Sequence, residues 1–331
     1  MMRTRVRGPM ERHSLLSHSC EVSLQSASAI MIIHPGFIKT GTTSLQDFLI
    51  FAHPQIHAMG HPHRPGVDAR IAQALRRIEG FDDDPEALRS ALAMSLEACP
   101  SDRVPVLSDE GLTGVPQLTA TIAKRLHQHF PRARILFTIR RQQDMICSFY
   151  GRHGRVLVNT PAPYKDRHVS FPAWLEHAWD NRPNGALGVA DYARSIEIYR
   201  ALFGEERIAI LLLEEWTADE AAFADRLSSI LGVDAATTRQ LLADRRTHGQ
   251  ETSRYVRYDR LRKRFPAADR IAAHMPAGLR TLGGGFLRRG DRRRIEFPPG
   301  WQEKLDDLYR AGNRQLIERY NLPLLEHGYA A

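Results

Sequence analysis

Nine residues, Gly36-Phe-Ile-Lys-Thr-Gly-Thr-Thr-Ser44, carry the strongest chemical signal in this chain. Lys39 supplies a point charge, and Thr40, Thr42, Thr43 and Ser44 supply hydroxyl donors. Gly36 and Gly41 allow close approach and unusual φ. An apolar run, Ala29-Ile-Met-Ile-Ile33, precedes the loop, and Leu45-Gln-Asp-Phe-Leu-Ile50 follows it. Strand, glycine-containing loop and helix in that order present backbone N–H groups and a positive helix end to phosphate. A helix cap after a tight turn needs one hydroxyl, not four beside a lysine, so the pattern points to phosphate binding.

Three further clusters bear chemistry. Arg134-Ile-Leu-Phe-Thr-Ile139 reads as a buried strand, and it runs directly into the helix-like Arg140-Arg-Gln-Gln-Asp-Met-Ile-Cys-Ser148-Phe-Tyr150. Arg140 offers a planar fork of donors suited to a phosphate dianion, and Ser148 offers a hydroxyl further along the same helix. Val104-Pro-Val-Leu107 reads as a short strand ending in Ser108-Asp109-Glu110. Its acids suit a general base at Glu110, a magnesium ligand at Asp109, or simple capping of the next segment. His57, His61 and His63 offer imidazole bases from another loop.

The order of residues in the first loop separates two classes. A Walker A loop reads G-x-x-x-x-G-K-[ST], with lysine after the second glycine; here Lys39 precedes Gly41. That order resembles the sulfotransferases that use PAPS (3′-phosphoadenosine 5′-phosphosulfate), and Gly-Phe-x-Lys-Thr-Gly-Thr-Thr is closest to their carbohydrate-directed members. Arg140 at a strand end with Ser148 beyond it looks like the family's 3′-phosphate site. Asp144 falls where the family often has an acid. Glu214-Glu-Trp216 resembles a later family segment that usually reads tyrosine-glutamate-aspartate.

The resemblance implies an α/β fold of three layers, a mostly parallel central sheet with helices on both faces, as in P-loop nucleoside-triphosphatases. It implies PAPS as donor, PAP as product, and a hydroxyl or amine of a carbohydrate, glycolipid or other small molecule as acceptor, with no metal. Lys39, Thr40, Gly41, Thr42, Thr43 and Ser44 would hold the 5′-phosphosulfate, and Arg140 and Ser148 the 3′-phosphate. Glu110 stands where several carbohydrate-directed members place a glutamate base, two residues after Ser108, which corresponds loosely to a lysine of the cytosolic members. Arg288-Arg289-Gly290 looks similar to the family's Arg-Lys-Gly loop over the 3′-phosphate, although the second glycine and following tryptophan are missing. A P-loop kinase or nucleoside-triphosphatase, with ATP and with magnesium at Thr43 or Asp109, stays open as the alternative.

The elements that must position these residues follow from periodicity. Strands are expected at 29–33, 104–107, 134–139 and 207–213. Helices are expected at 67–79, 85–98, 118–130, 141–152, 171–179, 192–203, 236–243, 251–264 and 301–320, with one capped by Thr217 that runs to Leu231. Residues 53–65 read as an irregular segment, and 153–169 and 280–296 as loops. Alternating strands and helices argue for a parallel sheet.

Composition bounds the rest. The chain has 331 residues, 43% hydrophobic and 25% charged, enough for one domain over 29–331. Residues 1–28 are polar, lack the apolar centre of a secretory signal, and read as a disordered extension. Net charge is +8 with only five lysines, so arginine carries the excess and suits anionic ligands. No aromatic-basic interleaving or helix-turn-helix pattern supports a nucleic-acid partner. Cys20, Cys99 and Cys147 are too few and too scattered for a disulfide framework or zinc site and suggest a reducing compartment. No apolar stretch reaches the ~18–20 residues a membrane span needs, so the expected location is cytoplasmic.

Lys39→Ala is expected to lower sulfuryl transfer by on the order of 100-fold or more while leaving thermal unfolding unchanged, because a loop lysine facing ligand adds little to a core. Normal turnover in that variant would take the loop out of the reaction.

Overall fold

The structure, a computed structural model, describes residues 30–60, 69–77, 84–151, 169–243, 257 and 295–331. Five strands alternate with helices: β1 (Ile32–His34), β2 (Ile56–Met59), β3 (Val104–Ser108), β4 (Arg134–Ile139) and β5 (Ile208–Leu212). A four-residue helix, α1 (Thr42–Leu45), follows β1 and runs into a π-helical turn, Gln46–Ile50, closed by Phe51 N–H donating to the Gln46 carbonyl at 3.0 Å. Next come α2 (Ala69–Leu75) and α3 (Pro85–Glu97) before β3, and α4 (Thr119–His129) before β4. Among the described residues, four helices separate β4 from β5: α5 (Gln142–Phe149), α6 (Phe171–Asp180), α7 (Gly185–Val189) and α8 (Tyr192–Phe203). After β5 lie α9 (Leu213–Ala218), α10 (Glu220–Leu231), α11 (Ala235–Leu242) and α12 (Trp301–Tyr320).

The strands form one parallel sheet in the order β2-β3-β1-β4-β5. β1 therefore sits at the centre, with His34 beside Ser108 of β3 and Ile33 beside Ile135 of β4. The side chains alternate between two cores, as a period of two demands. Ile33, Leu107, Ile135, Phe137, Ile210 and Leu212 pack with Leu92, Leu126, Leu175 and Tyr199 on one face. Ile32, Val106, Leu136 and Leu211 pack with Leu45, Leu49, Trp216 and Phe223 on the other. Helices thus cover both faces of a parallel sheet, the three layers expected from the alternation of elements.

Helix starts follow local chemistry. Asp84, Ser170, Asp191 and Asp234 each accept a first-turn backbone N–H from their own helix. Asp219 does the same for α10, which corrects the expectation of a Thr217 cap: the Thr217 hydroxyl donates back to the Leu213 carbonyl at 3.0 Å, inside α9. The segment 53–65 is not wholly irregular. It contains edge strand β2, which pairs with β3 from Ile56↔Val104 to Met59↔Leu107. Pro54 and a mixed apolar-histidine sequence hid it, and pairing with β3 supplies what propensity does not. The sheet has five strands where the sequence suggested four. Helix α2 is shorter than 67–79, and α7 had no sequence signal. The expected extension 1–28, all of helix 251–264 except Arg257, and most of the loops 153–169 and 280–296, with Arg288, Arg289 and Gly290, lie outside the described residues.

The loop after β1 is anchored by Phe37, whose buried ring packs against Phe137 and Tyr192 at 5.5 and 4.6 Å between centroids. Gly41 turns the chain into α1 at φ 90°, and a Cβ there would lie 2.8 Å from Leu213 Cδ1. Gly41→Ala combines a disfavoured φ with that contact and is expected to cost about 1–3 kcal/mol. Denaturant unfolding of the variant at an unchanged midpoint would contradict this reading of the turn.

Candidate functional site

In an open parallel sheet the carboxyl ends of the strands gather ligands, above all where the connections diverge. Here β1 leads into Pro35–Gly41, β3 into Asp109 and Glu110, β4 into Arg140, and β5 into Leu213 and Glu214. The loop after β1 holds three positive φ values, at Gly36 (55°), Lys39 (70°) and Gly41 (90°). A lysine held in the left-handed region signals backbone shaped for a purpose other than packing. The Thr113 hydroxyl donates to the Gly36 carbonyl and pins the start of the loop. The Leu45 N–H donates to the Gly41 carbonyl at 3.1 Å, so Thr42, Thr43 and Ser44 form the first turn of α1.

The hydroxyls of the loop divide. Thr43 is exposed, and Thr42 and Ser44 are buried. Thr40 is buried, and its hydroxyl donates to the Phe37 carbonyl at 2.7 Å. In this structure its hydroxyl therefore braces the loop from within.

Beneath the loop lies a polar row that the motifs did not reveal. On the α1 face of the sheet, β1, β3 and β4 each follow an inward apolar residue with a polar one two positions on: Ile32 then His34, Val106 then Ser108, Leu136 then Thr138. All three polar residues are buried. His34 Nδ1 lies 2.8 Å from Ser108 Oγ, and Nε2 lies 3.3 Å from Thr138 Oγ1, which is 3.0 Å from Thr40 Oγ1. The Gln46 amide donates to Ser108 Oγ at 3.2 Å and to Glu110 Oε2 at 3.1 Å. One proton arrangement satisfies the whole chain: Gln46 donates to Ser108, Ser108 to Nδ1, Nε2–H to Thr138, Thr138 to Thr40, and Thr40 to Phe37 O. It requires a neutral imidazole carrying its proton on Nε2.

The two acids after β3 have different partners. Asp109 is buried, pairs with the Arg76 guanidinium and accepts the Gly111 N–H at 2.8 Å. That is the capping role, and it places an arginine where the magnesium reading needs a cation. Glu110 is half-buried and accepts from Gln46 instead. Of the histidine bases, His57 donates Nε2–H to the Ser95 carbonyl at 2.9 Å, on the edge strand and toward α3. His61 and His63 lie outside the described residues.

At the end of β4, Arg140 reaches back to the loop and donates to the Lys39 carbonyl at 3.5 Å. Its neighbour Arg141 instead folds onto Asp144 in a two-pronged contact, Nε to Oδ2 at 2.8 Å and Nη2 to Oδ1 at 3.1 Å. Of the two adjacent arginines, Arg140 faces the loop. Ser148 sits half-buried in the last turn of α5, and its hydroxyl makes no hydrogen bond among the described residues. Burial, then Asp144, pushes the neighbouring Cys147 thiol up to about 12, which disfavours its thiolate form. The structure therefore gathers Lys39, Thr42, Thr43, Ser44 and Arg140 around one loop, with Glu110 joined to α1 through Gln46.

No protein-family model matches this chain, and no curated protein does. Two solved structures resemble it in overall shape. One is a sulfotransferase from Alicyclobacillus acidocaldarius, at 17% identity and a TM-score of 0.49, covering 88% of this chain and 95% of that one. The other is mouse sulfotransferase SULT7A1 complexed with PAP, at 15% identity and a TM-score of 0.48, covering 94% of each. At such values the site's own geometry has to carry the chemistry.

His34 gives the site a pH signature. Burial lowers its pKa from 6.5 to about 4, partly opposed by Glu110. The unfolded chain takes up a proton near pH 6.5 that the folded protein refuses until about pH 4. This stability is fully present above pH 6.5 and is lost as pH falls toward 4, by roughly 3 kcal/mol in all. Urea unfolding from pH 7 to 4.5 should show the fall, and His34→Asn should flatten it. Parallel pH dependence in the two proteins would contradict the buried neutral imidazole.

Proposed function

We propose that this chain is a PAPS-dependent sulfotransferase acting on a hydroxyl, or secondarily an amine, of a carbohydrate, glycolipid or other small acceptor. The observation that carries the reading is the meeting of two cationic elements on adjacent strands: Arg140, from β4, reaches the backbone of Lys39 in the loop after β1. A ligand with anionic groups at both ends, a 5′-phosphosulfate and a 3′-phosphate, suits such a pair. The Arg76–Asp109 contact favours this reading over a magnesium-dependent kinase, because Asp109 already has a cation.

PAPS, when bound, supplies the sulfuryl group and a phosphate leaving group. Lys39 and the first-turn amides of α1 stabilise charge that builds on the bridging oxygen as the sulfur–oxygen bond breaks. Glu110 takes the acceptor proton as the new oxygen–sulfur bond forms, and PAP leaves with the bonding electron pair. Thr42, Thr43, Ser44 and Gly41 line the 5′ end. Arg140 and Ser148 hold the 3′-phosphate, and the sequence resemblance assigns Arg288, Arg289 and Gly290 to the same phosphate. The reaction as written calls for no metal. No helix among the described residues is long and apolar enough to cross a membrane. The unpaired thiols of Cys99 and Cys147 favour a reducing, cytoplasmic setting.

Thermal unfolding should shift upward with PAP and not with ATP-magnesium; the reverse would move the protein to the kinase class. Arg140→Ala should weaken PAP by about 1.5–3 kcal/mol, and Ser148→Ala by less, with little change for adenosine 5′-phosphate, which lacks the 3′-phosphate. Glu110→Gln should lower turnover roughly 100- to 10,000-fold with PAP affinity unchanged. Full activity in that variant would reassign the base.

A further inference from the structure

The chain's final described segment is bonded to both sides of the turn that carries Arg140. The backbone N–H of Arg141 donates to Glu214 Oε1 at 2.8 Å, and the other oxygen of the same carboxylate accepts from the Tyr329 hydroxyl at 3.1 Å. Tyr329 is buried and Glu214 half-buried, so this contact is partly shielded from water. On the other side, the Gln142 amide donates to Asn313 Oδ1 at 2.6 Å, and Asn313 Nδ2 donates to the Ala330 carbonyl at 2.7 Å. Gln142 and Asn313 are themselves buried. Gly328, at φ 74°, lets the backbone pass close to the Arg141 side chain, which would lie 3.3 Å from a Cβ there.

The arrangement matters because Arg140 is fixed to little else. Among the described residues its guanidinium makes one hydrogen bond, the long one to Lys39 O. A flexible side chain aimed at an anion gains precision from the backbone that launches it. That backbone is held by Glu214 from β5's end and by the segment around Tyr329. Arg141 adds nothing to the anion site, since Asp144 holds its guanidinium.

We propose that Glu214 and Tyr329 are positioning residues for recognition of the 3′-phosphate, acting through the Arg140–Arg141 backbone. The inference rests on the assignment of Arg140 to that phosphate. It makes the discrimination between nucleotides with and without a 3′-phosphate depend on residues that touch neither.

Titration calorimetry with PAP and with adenosine 5′-phosphate tests it. Glu214→Ala should weaken PAP about tenfold and adenosine 5′-phosphate less than about twofold. Tyr329→Phe, which keeps the ring and its packing, should move the ratio the same way by about threefold and carries the test if Glu214→Ala does not fold. In an Arg140→Ala background neither substitution should change the ratio further, because a positioning residue has nothing left to position. Equal weakening of both nucleotides, or an unchanged ratio in both variants, would overturn the proposal. If Arg140→Ala itself leaves the ratio unchanged, the 3′-phosphate assignment falls and this inference with it. If Arg140→Ala collapses the ratio while Glu214→Ala and Tyr329→Phe do not, only the inference falls.

Discussion

An uncharged imidazole at the end of the central strand holds the working end of this protein together. His34 touches both neighbouring strands, through Ser108 on β3 and Thr138 on β4. Through Ser108 it meets Gln46 and so Glu110; through Thr138 it meets Thr40 and so the backbone of the loop after β1. A buried polar row is costly unless every donor and acceptor is matched. Here the match fixes one tautomer and one rotamer set, and the three strand ends keep their relative positions. A protonated His34 would need an acceptor on Nδ1 as well as Nε2, and the serine would have to reverse its donation.

Two neighbouring acids show how environment assigns roles that residue type leaves open. Asp109 turns inward to Arg76 and the Gly111 amide and becomes part of the frame. Glu110 turns to Gln46 at the edge of the polar row, accepts from its amide and stays half-exposed. A similar division separates Arg140, which faces the loop, from Arg141, which serves the start of its own helix. In both pairs the framework residue is the one held by an opposite charge, Asp109 by Arg76 and Arg141 by Asp144.

The motif loops and most helices were legible in the sequence because local chemistry decides them. Trp301–Tyr320 and Tyr192–Phe203 match their expected spans because their apolar spacing is long and regular. Edge strand β2 was not legible, since its register comes from pairing with Val104–Leu107 and not from its own residues. The polar row was missed for a related reason. His34, Ser108 and Thr138 are ordinary residues until the strand order β3-β1-β4 sets them side by side. The alternation Ile32 to His34, Val106 to Ser108 and Leu136 to Thr138 was a usable signal once three strand ends were compared on one face. The Thr217 cap failed because α9 intervenes, and Asp219 is the better-placed acceptor.

The central claim is that one end of the sheet reads a doubly anionic nucleotide from both sides. A crystal structure of the protein with PAP tests it most directly. The account predicts the 5′-phosphate against Lys39 and the Thr42–Ser44 amides, the 3′-phosphate on the Arg140 guanidinium with Ser148 alongside, and the Glu110 carboxylate facing the open side of the 5′-phosphate. A nucleotide bound in the opposite sense, or one whose 3′-phosphate makes no contact with Arg140, would contradict it.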